Sequence, residues 1–208
     1  MCWECSRPQG SGRRGSTNTR GDSTFAVWIT GLPGSGKSTI ARHLSSGLKK
    51  RGIGFQLLEM DRIRPMLTPE KRYTEQERDF AYRALAVMGA LLVESGTNVI
   101  IDATAHRKRW RDFAREHIRD FKEVYVRCPV EVCIEREAKR KSTVVRQDIY
   151  KDALKDLKRE ERPEGLGQVI GVDVPYEEGE PDLTVDSDKT DPKEAASAIM
   201  EMILWITR

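Results

Sequence analysis

An eight-residue segment in the first quarter of the chain has the spacing of a phosphate-binding loop. It reads Gly31-Leu-Pro-Gly-Ser-Gly-Lys-Ser38 and matches G-x-x-x-x-G-K-[ST] at every required position. Glycines let the backbone wrap tightly, so that successive N–H groups point at phosphate oxygens. Lys37 would reach the β- and γ-phosphates, and the Ser38 hydroxyl would ligate Mg²⁺. The motif predicts that ATP binds with Mg²⁺ at Gly31, Pro33, Gly34, Ser35, Gly36, Lys37, Ser38 and Thr39.

Two aspartates that follow predicted strands are candidates for chemistry beside this loop. Asp61 follows the second strand. It would accept the proton of a substrate hydroxyl, or it would cap a helix, since aspartate is a preferred N-cap residue. Asp102 ends the third strand. It would help to hold Mg²⁺, or it would only start a turn.

Basic residues are candidates for binding anions. A basic run follows the fourth strand, and in it we assign Arg136 and Arg140 to a lid that stabilises charge in the transition state. The alternative is a solvated helix face. Arg78 and Arg83 lie on the long helix after the second strand, where an anionic acceptor would bind, although lone arginines on helices are more often exposed. We interpret His106 as a bystander.

Alternating strand and helix patterns predict how these residues are positioned. Strands are predicted at Phe25–Thr30, Gly54–Leu58, Asn98–Ile101, Glu123–Val126 and Asp182–Asp186. Helices are predicted at Ser38–Arg51, Thr74–Glu94, Arg107–Arg119, Val130–Lys141 and from about Pro192. This order predicts an α/β P-loop NTPase kinase fold, with a parallel sheet of about five strands flanked by helices. Ligands should bind at the carboxyl ends of the strands.

Composition limits the class of protein. Residues 1–23 are rich in Gly, Ser, Arg and Thr, which predicts a disordered leader before one P-loop kinase domain at residues 24–208. Apolar residues make up 38% of the chain and charged residues 33%, and the apolar runs are too short to span a membrane. A region resembling a signal peptide is absent, so we expect a cytoplasmic protein. The net charge of +3 does not point to nucleic acid, and we expect neither nucleic acid nor a membrane as a partner.

The four cysteines do not predict a metal site. Cys2 and Cys5 form a C-x-x-C pair, but no second pair of ligands follows it, as a zinc site would require. Cys128 and Cys133 lie in apolar surroundings and are most simply core thiols.

Several segments together resemble one family, the adenylylsulfate kinase (APS kinase) family, over about Phe25 to Ile203. The segment Ile29–Ala41 resembles that family's phosphate loop, and Leu58–Arg64 is similar to its "LDGDNIR" element. Tyr73–Arg78 resembles "FSxxDR", and Gly171–Glu177 resembles "GIDDPYE". Phe121–Cys133 fits the family's "F.EV.V..P...C" segment.

The resemblance implies ATP-dependent phosphorylation of the 3′-hydroxyl of adenylylsulfate by a dimeric αβ kinase. It implies that Asp61 lies beside the acceptor hydroxyl and that Arg64 and Arg78 bind the anionic acceptor. It also implies, on a weaker match, that Arg136 and Arg140 lie near the lid.

This chain departs from the family pattern mainly in the acceptor half. Met60 stands where the family has a glycine, and Ala81 where an asparagine is expected. The family's "ISP" reads Thr104-Ala105-His106, and its "KGLY" segment is not recognisable. The donor half, which would bind ATP, therefore keeps the family's residue types. The acceptor half, which would bind adenylylsulfate, differs from them.

Two other functions stay open at this point. The first is a kinase of another hydroxylated metabolite or of a polynucleotide end, for which the basic segment Arg107–Arg111 would suit a phosphate-rich acceptor. The second is a nucleotide-dependent regulatory ATPase. A GTPase would need an N-K-x-D motif, which this sequence does not contain.

Overall fold

A computed structural model describes residues 24–70, 73–139 and 169–206. Five strands alternate with helices along these residues, as predicted. The strands are β1 Ala26–Thr30, β2 Phe55–Glu59, β3 Asn98–Asp102, β4 Phe121–Arg127 and β5 Leu183–Asp186. The helices are α1 Lys37–Lys50, α2 Met60–Leu67, α3 Glu75–Glu94, α4 Lys108–His117, α5 Val130–Ala138 and α6 Pro192–Ile206.

The five strands form one parallel sheet in the order β2-β3-β1-β4-β5. The central strand β1 is buried along its whole length, which explains its continuously apolar sequence. It pairs with β3, where Trp28 lies opposite Ile101, and with β4, where Trp28 lies opposite Glu123. The predicted α/β architecture is confirmed, and the carboxyl ends of β1, β2 and β3 meet at one edge of the sheet.

Helices cover both faces of the sheet and divide the core in two. Alternate side chains of β1 point to opposite faces. Val27 and Ile29 pack with residues of α1 and α6, whereas Ala26 and Trp28 pack with residues of α3 and α4. Trp28 is fully buried, and its indole Nε1 donates to the carbonyl oxygen of Ala103 at 3.0 Å. This hydrogen bond ties the central strand to the loop after β3.

Sequence analysis did not predict helix α2. Pro65 lies inside this short helix. A proline has no backbone N–H, so local sequence disfavours a helix there. The helix forms nevertheless, because Met60 is buried in the core and Ile63 and Leu67 pack against it. Element ends differ from the predictions by one to three residues elsewhere: β4 begins at Phe121, α4 ends at His117, and α5 ends at Ala138 rather than at Lys141.

Some predictions lie outside the described residues. These include the leader at residues 1–23 with Cys2 and Cys5, and the lid residue Arg140. Within the described ranges, helices that combine the length and the hydropathy of a membrane span are absent. Cys128 and Cys133 are buried free thiols, as predicted.

A buried ion pair joins α4 to the sheet. Arg111 is 0% exposed, and its Nε donates to the Glu123 carboxylate on β4 at 2.7 Å. Two further hydrogen bonds, each 2.5 Å long, run from its guanidinium to the carbonyl oxygens of Ala105 and Glu177. The charge of Arg111 is therefore satisfied entirely by partners within the protein.

We expect Glu123→Ala to destabilise the fold strongly, because it leaves a buried cation without its counter-ion. Loss of one partner of a buried pair costs about 3–5 kcal/mol of the free energy of unfolding. Urea unfolding would measure this change. The matched control is Lys108→Ala, which removes the half-exposed Lys108–Asp112 pair and should cost less than about 1 kcal/mol. Equal losses in the two variants would contradict the importance of the buried pair.

Candidate active site

The phosphate loop connects β1 to α1 and packs tightly against β4 and α5. Gly31 has a φ of +142° and Gly34 a φ of +79°. A Cβ atom at Gly31 would lie 2.4 Å from the Val126 carbonyl oxygen, and one at Gly34 would lie 2.5 Å from that of Cys133. Both positions therefore require glycine for backbone angle and for space.

The remaining loop residues predicted to bind ATP lie along the same turn. The Ser35 amide donates to the Leu32 carbonyl oxygen at 3.1 Å, and the Thr39 amide donates to that of Gly36 at 3.0 Å as α1 begins. Gly36 is the N-cap of α1. The positive end of this helix thus opens at the loop, where phosphate would bind.

Lys37 is a buried cation at the start of α1. Its ammonium Nζ donates to the Leu32 carbonyl oxygen of the same loop at 2.7 Å. Burial lowers the pKa of Lys37, while the carboxylates of Asp102 and Asp61 favour its charged form. The structure therefore brings together three residues that the sequence placed on separate elements.

Asp102 ends β3 and is buried beside the loop. Burial raises the pKa of Asp102, while the Lys37 charge and a hydrogen bond from the Ser38 side chain favour its carboxylate form. A carboxylate and a hydroxyl side by side are oxygen ligands of the kind that Mg²⁺ prefers. Groups of three or more acidic, His or Cys side chains that could hold a metal are absent from the described ranges. The residues thus fit an ion held by one or two side chains together with nucleotide phosphates.

Asp61 lies in the first turn of α2, where the carboxyl end of β2 meets the loop. Its side chain is exposed. The alternative assignment as a helix N-cap is wrong, because Glu59 occupies the N-cap position of α2. An exposed carboxylate near Lys37 suits a group that must meet an incoming acceptor.

Arg64 and Arg78 are buried next to each other, unlike most lone arginines on helices. Arg64 is 9% exposed, and its guanidinium carbon lies 5.5 Å from each of the Tyr73 and Tyr82 ring centroids. The Arg78 Nε donates to the Tyr73 carbonyl oxygen at 3.0 Å. Burial lowers the pKa of Arg78, and the positive charge of Arg64 lowers it further. An anion bound here would relieve this repulsion.

His106, interpreted from the sequence as a bystander, is a buried side chain near Arg78. It follows β3 on the side of the site that carries Arg64 and Arg78, which we call the acceptor side. It is 1% exposed and packs edge-on against Trp110 at 5.0 Å between ring centroids. Burial, assisted by the positive charges of Arg78 and Arg107, lowers the pKa of His106 to about 3. In the sequence, only its position shortly after the strand that ends in Asp102 sets this histidine apart.

The segment Pro175–Glu178 was not predicted to contribute to the site. The Glu177 amide donates to the His106 carbonyl oxygen at 2.8 Å, and its carboxylate accepts from Arg107 at 2.7 Å. The Tyr176 hydroxyl lies 2.8 Å from Thr30 Oγ1, directly before the phosphate loop. These contacts join segments up to 146 residues apart, so the linear pattern could not reveal them.

Arg136 lies against the phosphate loop rather than on a solvated face. Its guanidinium donates to the Ser35 carbonyl oxygen at 3.4 Å and to that of Ser187 at 2.8 Å. The Ser187 hydroxyl donates to the same Ser35 oxygen at 2.6 Å. Arg136 is thus positioned to shape the loop. Its predicted partner in the lid, Arg140, lies outside the described residues.

The basic segment Arg107–Arg111 is not a free surface for polyanions. Arg107 pairs with Glu177, Lys108 with Asp112, and Arg109 with Glu75 and Asp79. Arg111 is buried with Glu123. This segment therefore does not support a polynucleotide as the acceptor.

Comparisons with known proteins agree with this geometry. The sequence model of the family described as Adenylylsulphate kinase matches residues 23–186. A probable adenylyl-sulfate kinase of Archaeoglobus fulgidus is 36% identical over 169 residues, which cover 81% of this chain and 99% of that protein. The adenylyl-sulfate kinase of Thermodesulfovibrio yellowstonii is 34% identical over 186 residues, covering 88% and 85%.

A solved structure agrees as well. The Mycobacterium tuberculosis APS kinase CysC in complex with AMPPNP and APS superposes with a TM-score of 0.72 and 26% identity. The match covers 88% of this chain and 98% of that one. By its sequence, its phosphate loop and its relatives, this chain belongs to the adenylylsulphate kinase family.

Proposed function

We propose that this protein transfers the γ-phosphate of ATP to the 3′-hydroxyl of adenylylsulfate, forming ADP and 3′-phosphoadenylylsulfate. The observation that carries the proposal is the position of two groups of charges at one edge of the sheet. Lys37 lies with the carboxylates of Asp61 and Asp102 at the phosphate loop. The buried arginines Arg64 and Arg78 provide a site for an anionic acceptor.

The chain's own residues can carry the transfer. The acceptor 3′-oxygen forms a bond to the γ-phosphorus, and the bond from that phosphorus to the bridging oxygen of ADP breaks. Asp61 accepts the proton that the hydroxyl loses. Lys37 and the amides of the loop stabilise the negative charge that develops on the phosphoryl oxygens. Arg64 and Arg78 hold the anionic acceptor in line with the phosphate.

Magnesium binding is part of the proposal. The Ser38 hydroxyl and the Asp102 carboxylate are the residues that would hold Mg²⁺ with the nucleotide, and their hydrogen bond keeps the two oxygen ligands adjacent. The ion would neutralise charge on the β- and γ-phosphates. Arg136 and Arg140 stay predictions as transition-state residues. The contact of Arg136 with Ser35 supports a role in holding the loop.

We also propose that the protein forms a homodimer, as the family resemblance implies. Helix α3 carries the exposed apolar side chains of Phe80, Val87 and Leu91. Their spacing of seven and four residues places them on one face of the helix. Exposed apolar side chains on one helix face support an interface with a second copy.

The first prediction concerns ADP release. With ATP and Mg²⁺, adenylylsulfate should stimulate ADP release saturably, and Lys37→Ala should abolish it, because the buried ammonium that faces the phosphates is lost. A coupled ADP assay measures both effects. Lys50→Ala, at the exposed far end of the same helix, is the control and should retain activity. Turnover that does not depend on adenylylsulfate would favour a regulatory ATPase or another acceptor and overturn the proposal.

The second prediction tests the carboxylate beside the acceptor. Asp61→Asn should lower kcat by about 10²–10⁴-fold, since the amide cannot take the proton from the hydroxyl. The Kd for ATP, measured by calorimetry, should change little. Asp112→Asn removes a carboxylate of the Lys108 pair on α4 and should be nearly neutral. Wild-type turnover in Asp61→Asn would show that Asp61 is not the catalytic carboxylate.

The third prediction tests the dimer. Leu91→Glu should convert the protein to monomers, because it places a charge in the apolar stripe, where Leu91 is 60% exposed. Light scattering after size-exclusion chromatography gives the mass of both forms. Ser46→Glu, on the exposed face of α1, should keep the wild-type mass. A wild-type protein that is monomeric at all concentrations tested would contradict the proposed dimer.

A further inference from the structure

Two buried polar atoms on the acceptor side have no protein partner within the described ranges. They are Nδ1 of His106 and Nη1 of Arg64. The great majority of buried polar groups in folded proteins are hydrogen-bonded, so each exception calls for a physical explanation. An arginine nitrogen can only donate a hydrogen bond, whereas an imidazole nitrogen can donate or accept. A ligand that has both acidic oxygens and neutral polar groups would satisfy both atoms.

The two side chains belong to one connected cluster. The Arg64 guanidinium lies 5.5 Å from the Tyr82 ring, Tyr82 packs on Trp110 at 4.5 Å, and His106 packs on the same Trp110 at 5.0 Å. Arg78 is close to both side chains. Its positive charge lowers the pKa of His106, and the positive charge of Arg64 lowers the pKa of Arg78. The cluster reaches the surface at Tyr73, whose exposed ring lies over Arg64.

The backbone fixes His106 independently of its ring. The His106 carbonyl oxygen accepts from the Glu177 amide at 2.8 Å, and that of Ala105 accepts from Arg111. Ala105 itself has a φ of +37°, a conformation that is unfavourable for a residue with a Cβ atom. Such strain persists only where the surroundings over-determine it, as they do here. The imidazole is therefore held in place without using its own nitrogen Nδ1.

His106 adds a neutral group to a strongly basic site. Its pKa is lowered to about 3 by burial and by the charges of Arg78 and Arg107, so the ring is neutral at physiological pH. A neutral imidazole offers one donor and one acceptor without adding repulsion to the arginines. The proline that the family motif "ISP" has at this position offers no side-chain hydrogen bond at all.

We propose that His106 is a specificity-determining residue of the acceptor site, where its Nδ1 exchanges a hydrogen bond with adenylylsulfate while Arg64 binds the anionic part of the same molecule. This inference rests on the proposed function. The acceptor half of this chain departs from the family motifs. His106 supplies part of the substrate recognition that the missing family residues would provide. Sites that hydrogen-bond a substrate group discriminate strongly, because their buried polar atoms stay unpaired with the wrong ligand.

The experiment compares His106→Phe with His106→Asn. The phenylalanine ring keeps the packing against Trp110 and removes the nitrogen, whereas the asparagine amide places a polar atom near the position of Nδ1. We expect His106→Phe to raise the KM for adenylylsulfate by about tenfold or more. The kcat and the KM for ATP should change by less than about twofold, and His106→Asn should restore most of the acceptor affinity. His117→Phe, at the exposed end of α4, is the matched control.

Nuclear magnetic resonance supplies a second readout that does not depend on activity. In wild-type protein labelled with ¹⁵N-histidine, adding adenylylsulfate should shift the His106 Nδ1 resonance, and inorganic sulfate should shift it less. A merely structural role would change the thermal stability and the KM for ATP together, and His106→Asn would not restore acceptor affinity.

The outcomes separate the two claims. If wild-type protein turns over adenylylsulfate but His106→Phe has an unchanged KM and the Nδ1 resonance does not move, this inference is wrong and the proposed function stands. If wild-type protein neither binds nor phosphorylates adenylylsulfate, the proposed function fails, and the inference fails with it.

Discussion

The guanidinium of Arg111 is a cation without access to solvent, and the acceptor side of the molecule is arranged around it. Burial of an unpaired charge would cost several kcal/mol, so its partners must be present whenever the fold is. They are the Glu123 carboxylate on β4 and the backbone carbonyls of Ala105 and Glu177, with the Tyr176 ring 5.0 Å away. One side chain thereby fixes a strand, the loop after β3 and the segment Pro175–Glu178 relative to one another.

The hydroxyl of Thr30 extends this arrangement to the phosphate loop. It donates to the Thr104 carbonyl oxygen at 2.5 Å, which uses its single proton. The Tyr176 hydroxyl, 2.8 Å away, must therefore be the donor to Thr30. Burial raises the pKa of Tyr176, which keeps that proton in place. The residue before Gly31 is thus hydrogen-bonded to both acceptor-side segments, which joins the donor and acceptor halves of the site into one connected body.

Charge is distributed unevenly across that body. On the donor side, the Lys37 cation is buried with the carboxylates of Asp102 and Asp61, each of which favours the charged form of the lysine. On the acceptor side, Arg64 disfavours the charge of the buried Arg78. Nucleotide and acceptor are both anions, and each would meet fixed positive charge where it binds. Pre-organised charge of this kind costs no rearrangement during the reaction.

Much of the donor site followed from sequence alone. The glycine spacing of residues 31–38 specifies a backbone path that few other residues can adopt, and β1, α1 and β3 follow from local apolar patterns. Asp61 and Asp102 could be placed beside the loop because parallel strands share one carboxyl edge. Local periodicity and turn chemistry are properties of neighbouring residues, so one sequence can show them.

The acceptor side was decided by tertiary structure. The guanidinium of Arg111 is hydrogen-bonded to Glu123 on β4 and to the carbonyl oxygen of Glu177, 66 residues away along the chain. The sequence near Arg111 does not reveal these partners, so Arg111 was interpreted as part of a basic surface. His106 was interpreted as a bystander although it follows the strand that ends in Asp102, and no helix was predicted at α2, where Pro65 disfavours one locally. Burial and electrostatic environment depend on which distant segments pack together, and the sequence alone determines these only through the completed fold.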